Sequence, residues 1–206
     1  AAVDANVGLI EQADVVVCQM EVPETTVLAA LRRARALGRT VILNPAPITG
    51  PLPSGWLENV DFLVPNEVEA AALSGVTVDS PDSARRAARV LQQRGARHVL
   101  ITLGGQGVFL LPAAHDGADG SADDGASGTH YPARRVAAID TTAAGDTFIG
   151  GFAAALAAGR PVDAAVRFGQ AAAALSVTRA GAQPSIPRLS EVLSDLPLDP
   201  PRTPTP

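Results

Sequence analysis

Apolar residues along the chain follow two rhythms that take turns. Short, nearly continuous apolar runs cover residues 14–20 (Asp-Val-Val-Val-Cys-Gln-Met), 40–43, 61–64 and 98–103. Runs of this length, rich in β-branched residues, predict strands buried on both faces, as in a parallel sheet. Between them the apolar positions return with helical spacing. Val27, Leu28, Leu31, Ala34 and Leu37 form one such stripe, with Pro23 and Glu24 suited to a first turn and Gly38 to a stop. Residues 67–73 predict a second helix. A third runs to Arg94 from a cap at Ser80 or Asp82. Repeated strand–helix units imply an α/β fold: a mainly parallel sheet, helices on both faces, three layers in all.

The rhythm changes after Gly104. Residues 107–111 predict a strand, and 134–139 its partner. The intervening stretch, 112–128, is rich in Ala, Gly, Asp and Ser and predicts a flexible surface loop. Asp116, Asp119, Asp123 and Asp124 lie in it. They lack the ordered ligand spacing and closing Glu of a calcium loop. The last third predicts two helices, 145–158 and 162–177, the second with Pro161 at its start. After Pro197 the sequence is Pro-rich and predicts disorder. The expected organisation is one domain over 1–196 and a tail over 197–206, with no internal repeat.

Composition narrows the field. A chain of 206 residues that is 47% hydrophobic and 18% charged has material for one real core; roughly 70% of the unfolded surface is buried at this size. Cys18 is the one cysteine, which excludes a disulfide scaffold and fits a reducing compartment. Aromatics at 3% and a net charge of −5 argue against a nucleic-acid partner. All 16 basic residues are Arg, so chemistry needing a lysine nucleophile or a Walker lysine is excluded. No leader pattern and no apolar run of about 18 residues is present, so a cytoplasmic protein without a membrane partner is expected. His98, His115 and His130 lack metal-ligand spacing, and no G-x-S-x-G occurs. Cys18, Met20 and Trp56 read as packing residues.

The sharpest segment is Asp140-Thr141-Thr142-Ala143-Ala144-Gly145-Asp146-Thr147-Phe148. Its expected shape is a strand ending at Asp140, a turn of small residues, then a helix. Such a turn aims backbone N–H groups and the positive end of the helix dipole at one point, which makes an anion site. Gly145 lets an anion approach the backbone closely. A carboxylate at Asp146 makes sense there as acceptor of a proton from a hydroxyl that attacks a phosphate. It makes equal sense as a first-turn helix acid with capping Thr neighbours. The residues alone leave both readings open.

This segment resembles the second signature of the PfkB-type carbohydrate kinases, D-T-x-G-A-G-D-T-F, with Ala143 where many members have Gly. Three further segments agree in order and spacing. Leu43-Asn44-Pro45-Ala46-Pro47 resembles the L-N-P-A-P of the family's ribokinase branch. Pro65-Asn66-Glu67-Val68-Glu69 resembles P-N-E-x-E. Residues 178–187, Thr-Arg-Ala-Gly-Ala-Gln-Pro-Ser-Ile-Pro, resemble that branch's T-R-x-G-A-Q-P-S-x-P. The likeness runs from about residue 5 to residue 190.

The resemblance implies the ribokinase-like three-layer α/β/α sandwich. It implies ATP-dependent phosphorylation of D-ribose at O5 to D-ribose 5-phosphate, with Mg2+ and K+ as cofactors. Asp146 would be the catalytic base and a sugar contact, with Ala144 and Gly145 forming the anion hole. Glu21 matches a second sugar contact. Asn66, the run Thr102, Leu103, Gly104, Gly105, Gln106 and Gly107, then Gly145 and Gln170 match nucleotide-binding positions. Glu69 matches the acid that holds magnesium through water. The potassium ligands fall at Asp140, Thr142, Ser176, Arg179, Gly181 and Ser185, several through backbone carbonyls. Without the resemblance, Glu67 and Glu69 read as ordinary first-turn helix acids, Gly104, Gly105 and Gly107 as a hairpin turn, and Asn44-Pro45 as a strand terminator.

Family members are longer at the N-terminus, where early sugar contacts, lid strands and the dimer contact lie. The chain begins at Ala1 without Met and is expected to be the nucleotide and catalytic part of a homodimeric parent, inactive or nearly so by itself. Two alternatives remain. One is another kinase of the family, acting on fructose, a keto-deoxy acid or a nucleoside. The other is a non-catalytic nucleotide or sugar sensor.

Overall fold

A computed structural model describes residues 2–48, 50–113 and 128–196. Six strands form one sheet: β1 (Val15–Cys18), β2 (Thr40–Leu43), β3 (Phe62–Leu63), β4 (His98–Thr102), β5 (Val108–Leu111) and β6 (Thr129–Tyr131). Their order in space is their order in sequence. β1 to β4 are parallel, and β4, β5 and β6 pair antiparallel. Two short helices, α1 (Ala2–Ala5) and α2 (Val7–Glu11), precede β1. α3 (Glu24–Ala36), α4 (Glu67–Ser74) and α5 (Pro81–Gln93) follow β1 and β3. α6 (Ala144–Ala157), α7 (Val162–Ser176) and α8 (Leu189–Asp195) close the chain. The tail over 197–206 and most of the loop over 112–128 lie outside the described residues.

The strands are apolar on both sides because each side has its own core. Along β2, Val41 and Leu43 point to the layer of α3, α4 and α5, and Ile42 points to the layer of α6 and α7. β4 repeats this with Val99 and Ile101 against Leu100, and β5 with Phe109 and Leu111 against Val108 and Leu110. The period of two thus divides one sheet between two cores. At β1 the second layer thins, and Val17 stays 43% exposed.

Helices α4 and α5 start where a polar side chain pairs their first backbone N–H groups. Asn66 caps α4: its side chain accepts from Glu69 N, and Glu69 reaches back to Asn66 N. Ser80 and Ser83 do the same for α5, with Pro81 in the first turn. Both are capping boxes.

Two expectations need correction. Residues 134–139 form no strand; the partner of β5 is β6, with Val108 opposite Tyr131 and Leu110 opposite Thr129. Pro132 follows Tyr131 at once and has no N–H for the ladder, so pairing stops there. Asp140 therefore does not end a strand. The chain instead lies against the end of α7, where Val177 O accepts from Ile139 N (2.7 Å) and Asp140 N (3.2 Å). The short helix α8 has no counterpart in the expected elements.

Candidate active site

The carboxyl ends of the parallel strands collect the polar residues, the usual place for a site in an open α/β sheet. Gln19 follows β1, Asn44 follows β2, Asn66 follows β3 and Gly104 lies two residues past β4. The N-terminus of α6 returns to the same edge, since α6 packs on β1. There Gln19 Nε2 donates to Asp146 Oδ1 at 2.9 Å and to Asn44 Oδ1 at 3.3 Å. Asn44 is buried, and its Nδ2 donates to Val64 O at 2.9 Å. Residues 127 positions apart thus meet through one side chain.

The turn into α6 is tight. Ala143 is the N-cap, at φ +59° and ψ +17°, and is the one non-glycine with positive φ among the described residues. Ala144 N donates to Thr141 O (3.2 Å). The amides of Gly145 and Asp146 follow in the first turn and have no intrahelical acceptor. A Cβ on Gly145 would meet no atom within 4 Å, so the backbone there faces open space. Of the expected anion-hole pair, Gly145 offers an unengaged amide, whereas the Ala144 amide also closes the turn.

The expected nucleotide loop follows β4 at the same edge of the sheet. Thr102 closes β4, and Leu103 N donates to Gly107 O (2.7 Å) across the turn. Gly104, Gly105 and Gln106 form a 3₁₀ turn between β4 and β5. Gln106 Nε2 donates to Asp79 O (3.0 Å), which ties the turn to the start of α5. Gly107 has φ +102°, and a Cβ there would stand 2.0 Å from Tyr131 O, so only glycine fits. The hairpin reading and the family reading fall on the same residues. Gln170, on α7, turns its amide to Tyr131 O (2.9 Å) and Pro132 O (3.3 Å), bracing the end of β6.

Asn66 and Glu69 bind each other. Glu69 Oε2 accepts from Asn66 N (2.9 Å) and Oε1 from Asn66 Nδ2 (3.0 Å). Glu69 is 5% exposed. Burial pushes its carboxyl above the ordinary carboxylate range, against the opposing pull of the Asn66 backbone N–H. Glu21 is exposed, two residues after Gln19.

The expected potassium ligands come from two segments that Asp140 joins. Its Oδ1 accepts from Thr142 N (2.9 Å) and its Oδ2 from Gly181 N (2.8 Å). The Thr142 hydroxyl, then the two N–H groups, hold the Asp140 carboxyl down at about 2. Ser176 and Ser185 are buried, with hydroxyls on Ala173 O and Ala182 O. Arg179 pairs with Glu191 at 2.6 Å. A hard cation would take from this set only oxygens: the Asp140 carboxylate, the hydroxyls and, at Arg179 and Gly181, the backbone carbonyls. Among the described residues no three His, Cys, Asp or Glu side chains cluster as a metal site. A divalent cation here would be held largely by substrate phosphates, consistent with one acid at Glu69.

The sequence placed Asp146 and Gly145 at a helix start and the glycine turn after a strand, and both elements are present. It missed Gln19 as the partner of Asp146 and Asn44 as the partner of Gln19. Their signal was positional: each is the first polar residue after a parallel strand.

A three-layer α/β/α fold with its polar cluster at the strand ends and a helix N-terminus is the layout of nucleotide- and sugar-handling α/β proteins. Residues 1–189 match the model of the pfkB family of carbohydrate kinases, and the chain belongs to this family. It is 44% identical over 187 residues to a ribokinase of Haemophilus influenzae, covering 91% of this chain and 57% of that protein. It is 42% identical over 181 residues to a ribokinase of Staphylococcus aureus, covering 87% of this chain and 55% of that protein. The structure of an Arabidopsis thaliana ribokinase complexed with ribose and ATP superposes with a TM-score of 0.83 at 28% identity, over 93% of this chain and 58% of that one. The chain thus spans little more than half the length of the relatives it matches. No helix of the described residues is long and apolar enough to cross a membrane.

Proposed function

We propose that the protein phosphorylates D-ribose at O5 with ATP, giving D-ribose 5-phosphate and ADP. The observation that carries this reading is Asp146 in the first turn of α6, beside the open Gly145 amide and facing the strand ends. The likeness to ribokinases over nine-tenths of the chain supports the choice of sugar and nucleotide.

In this reading the γ-phosphate lies over the α6 N-terminus, where the Gly145 N–H and the helix dipole meet charge that builds on its equatorial oxygens. Asp146 accepts the proton of the attacking 5-hydroxyl. The nucleotide lies over the turn of Gly104, Gly105 and Gln106, near Asn66, which bridges to Thr102. Glu21, at the exit of β1, reaches the sugar. A magnesium ion, when bound, neutralises phosphate charge, and Glu69 would hold it through water. A potassium ion would sit among the oxygens around Asp140, Thr142, Ser176, Arg179, Gly181 and Ser185.

The test measures ADP release from ATP and ribose by the full-length natural protein. Asp146→Ala should lower turnover by roughly a hundred- to ten-thousand-fold and keep ATP binding. Turnover on fructose or a nucleoside in preference to ribose would move the substrate within the family. Unchanged turnover in Asp146→Ala would remove Asp146 as the base.

A further inference from the structure

The two hydrogen bonds of Gln19 have a direction that chemistry fixes from both ends. At one end Val64 O is a backbone carbonyl and can only accept. Asn44 must therefore present Nδ2 to it, as observed at 2.9 Å. That leaves Asn44 Oδ1 as an acceptor, so Gln19 must present its NH2 group, as observed at 3.3 Å. The second hydrogen of the same NH2 group then points at Asp146 Oδ1, at 2.9 Å. At this other end an ionised carboxylate also only accepts. Flipping either amide would set oxygen against oxygen, so the chain of donors has one arrangement. Its members follow β1, β2 and β3 in turn, and Asn44 is 7% exposed.

We infer that Gln19 is a positioning residue for Asp146: it ties Oδ1 to the sheet and, by donating to it, leaves Oδ2 as the oxygen that takes the substrate proton. This rests on the reading of Asp146 as the base. A proton on Oδ1 would face the Gln19 NH2 group donor to donor. The proton from the attacking hydroxyl therefore arrives on Oδ2 as the new O–P bond forms, and the transferred group leaves ADP. The tie also offsets the freedom of an exposed side chain in a first helical turn, where a misplacement of about 1 Å costs on the order of a hundredfold in rate. Glu21, two residues on, is the sugar contact of the proposed reaction, so β1 delivers both residues from one strand end.

Two measurements separate this inference from the base assignment. The first needs no activity: side-chain amide resonances in the 15N-labelled chain. Asp146→Ala should shift the Gln19 NH2 signals and leave those of Asn44 nearly in place. Gln19→Leu should shift those of Asn44. Gln19 signals that ignore Asp146→Ala would overturn the inference. The second is steady-state kinetics on the full-length protein. Gln19→Leu should lower kcat roughly 10- to 100-fold, with KM for sugar and ATP changed less than about threefold. The isosteric Gln19→Glu, which sets a carboxylate against two acceptors, should lower it at least as far. A raised sugar KM with unchanged kcat would make Gln19 a substrate contact and overturn the inference. So would kcat within about twofold of wild type in both variants. In either case a dead Asp146→Ala enzyme leaves the base reading standing, whereas an active one removes the base itself.

Discussion

Tyr131 is the one tyrosine of the chain, so its state can be read without interference. Its ring is buried, its hydroxyl donates to Asp163, and the Arg167 guanidinium lies 5.4 Å from the ring centre. Burial first, and the donation to Asp163 second, push the phenol well above its ordinary 10.0; Arg167 pulls weakly the other way. The folded chain thus favours the neutral phenol. The stability this lends is fully present below pH 10.0 and is lost as pH rises past it, because the unfolded chain ionises there. Ultraviolet titration of the native protein should show no phenolate at pH 10.0, and Tyr131→Phe should remove this part of the alkaline loss of stability. Ordinary titration near 10.0 would contradict it. At this scale the sequence was legible wherever one residue has one reason to be there. Asn66 and Glu69 were harder, because a capping box and a ligand site ask for the same residue types at the same spacing. Gln19 could not be paired with Asp146, since nothing local marks a partner 127 positions away.

Elements were legible where period and cap agree. α3, α4, α5, α6 and α7 lie within two residues of their expected ends, because an apolar stripe and a polar start point to the same boundary. The stretch 134–139 misled for a physical reason. Its apolar residues suit a strand, but Pro132 ends the ladder and Val136 and Ile139 stay exposed. α5 offers the clearest test of a cap. Ser80 Oγ accepts from Ser83 N, while the buried Ser83 Oγ accepts from both Asp79 N and Ser80 N. Ser80→Ala should cost about 1 kcal/mol in denaturant unfolding, and Ser83→Ala more, since two backbone donors lose their acceptor in a closed site. Equal and negligible losses would mean that the α5 start does not depend on its box.

For the molecule as a whole, the sheet is a shared wall. Ile42 and Leu100 serve one core while Val41 and Val99, their immediate neighbours, serve the other. A defect on one face therefore cannot stay there. Phe152 is fully buried between α6 and the sheet, edge-on to Phe62 with ring centres 5.2 Å apart. Phe152→Ala should cost about 3–5 kcal/mol and lower a single unfolding transition seen equally by far-ultraviolet circular dichroism and by fluorescence of Trp56 in the opposite core. Two separated transitions would show that the faces melt independently. The matching order of strands in space and in sequence has a consequence for the life of the chain before it is finished. Each strand leaving the ribosome finds its neighbour already made, so the sheet can grow one edge at a time without rethreading. α6 is the exception. It emerges after the six described strands and must travel back across the sheet to β1. These strands are thus laid down before α6, and Asp146 meets Gln19 only after them, so a nascent chain holds this sheet before it holds its chemistry.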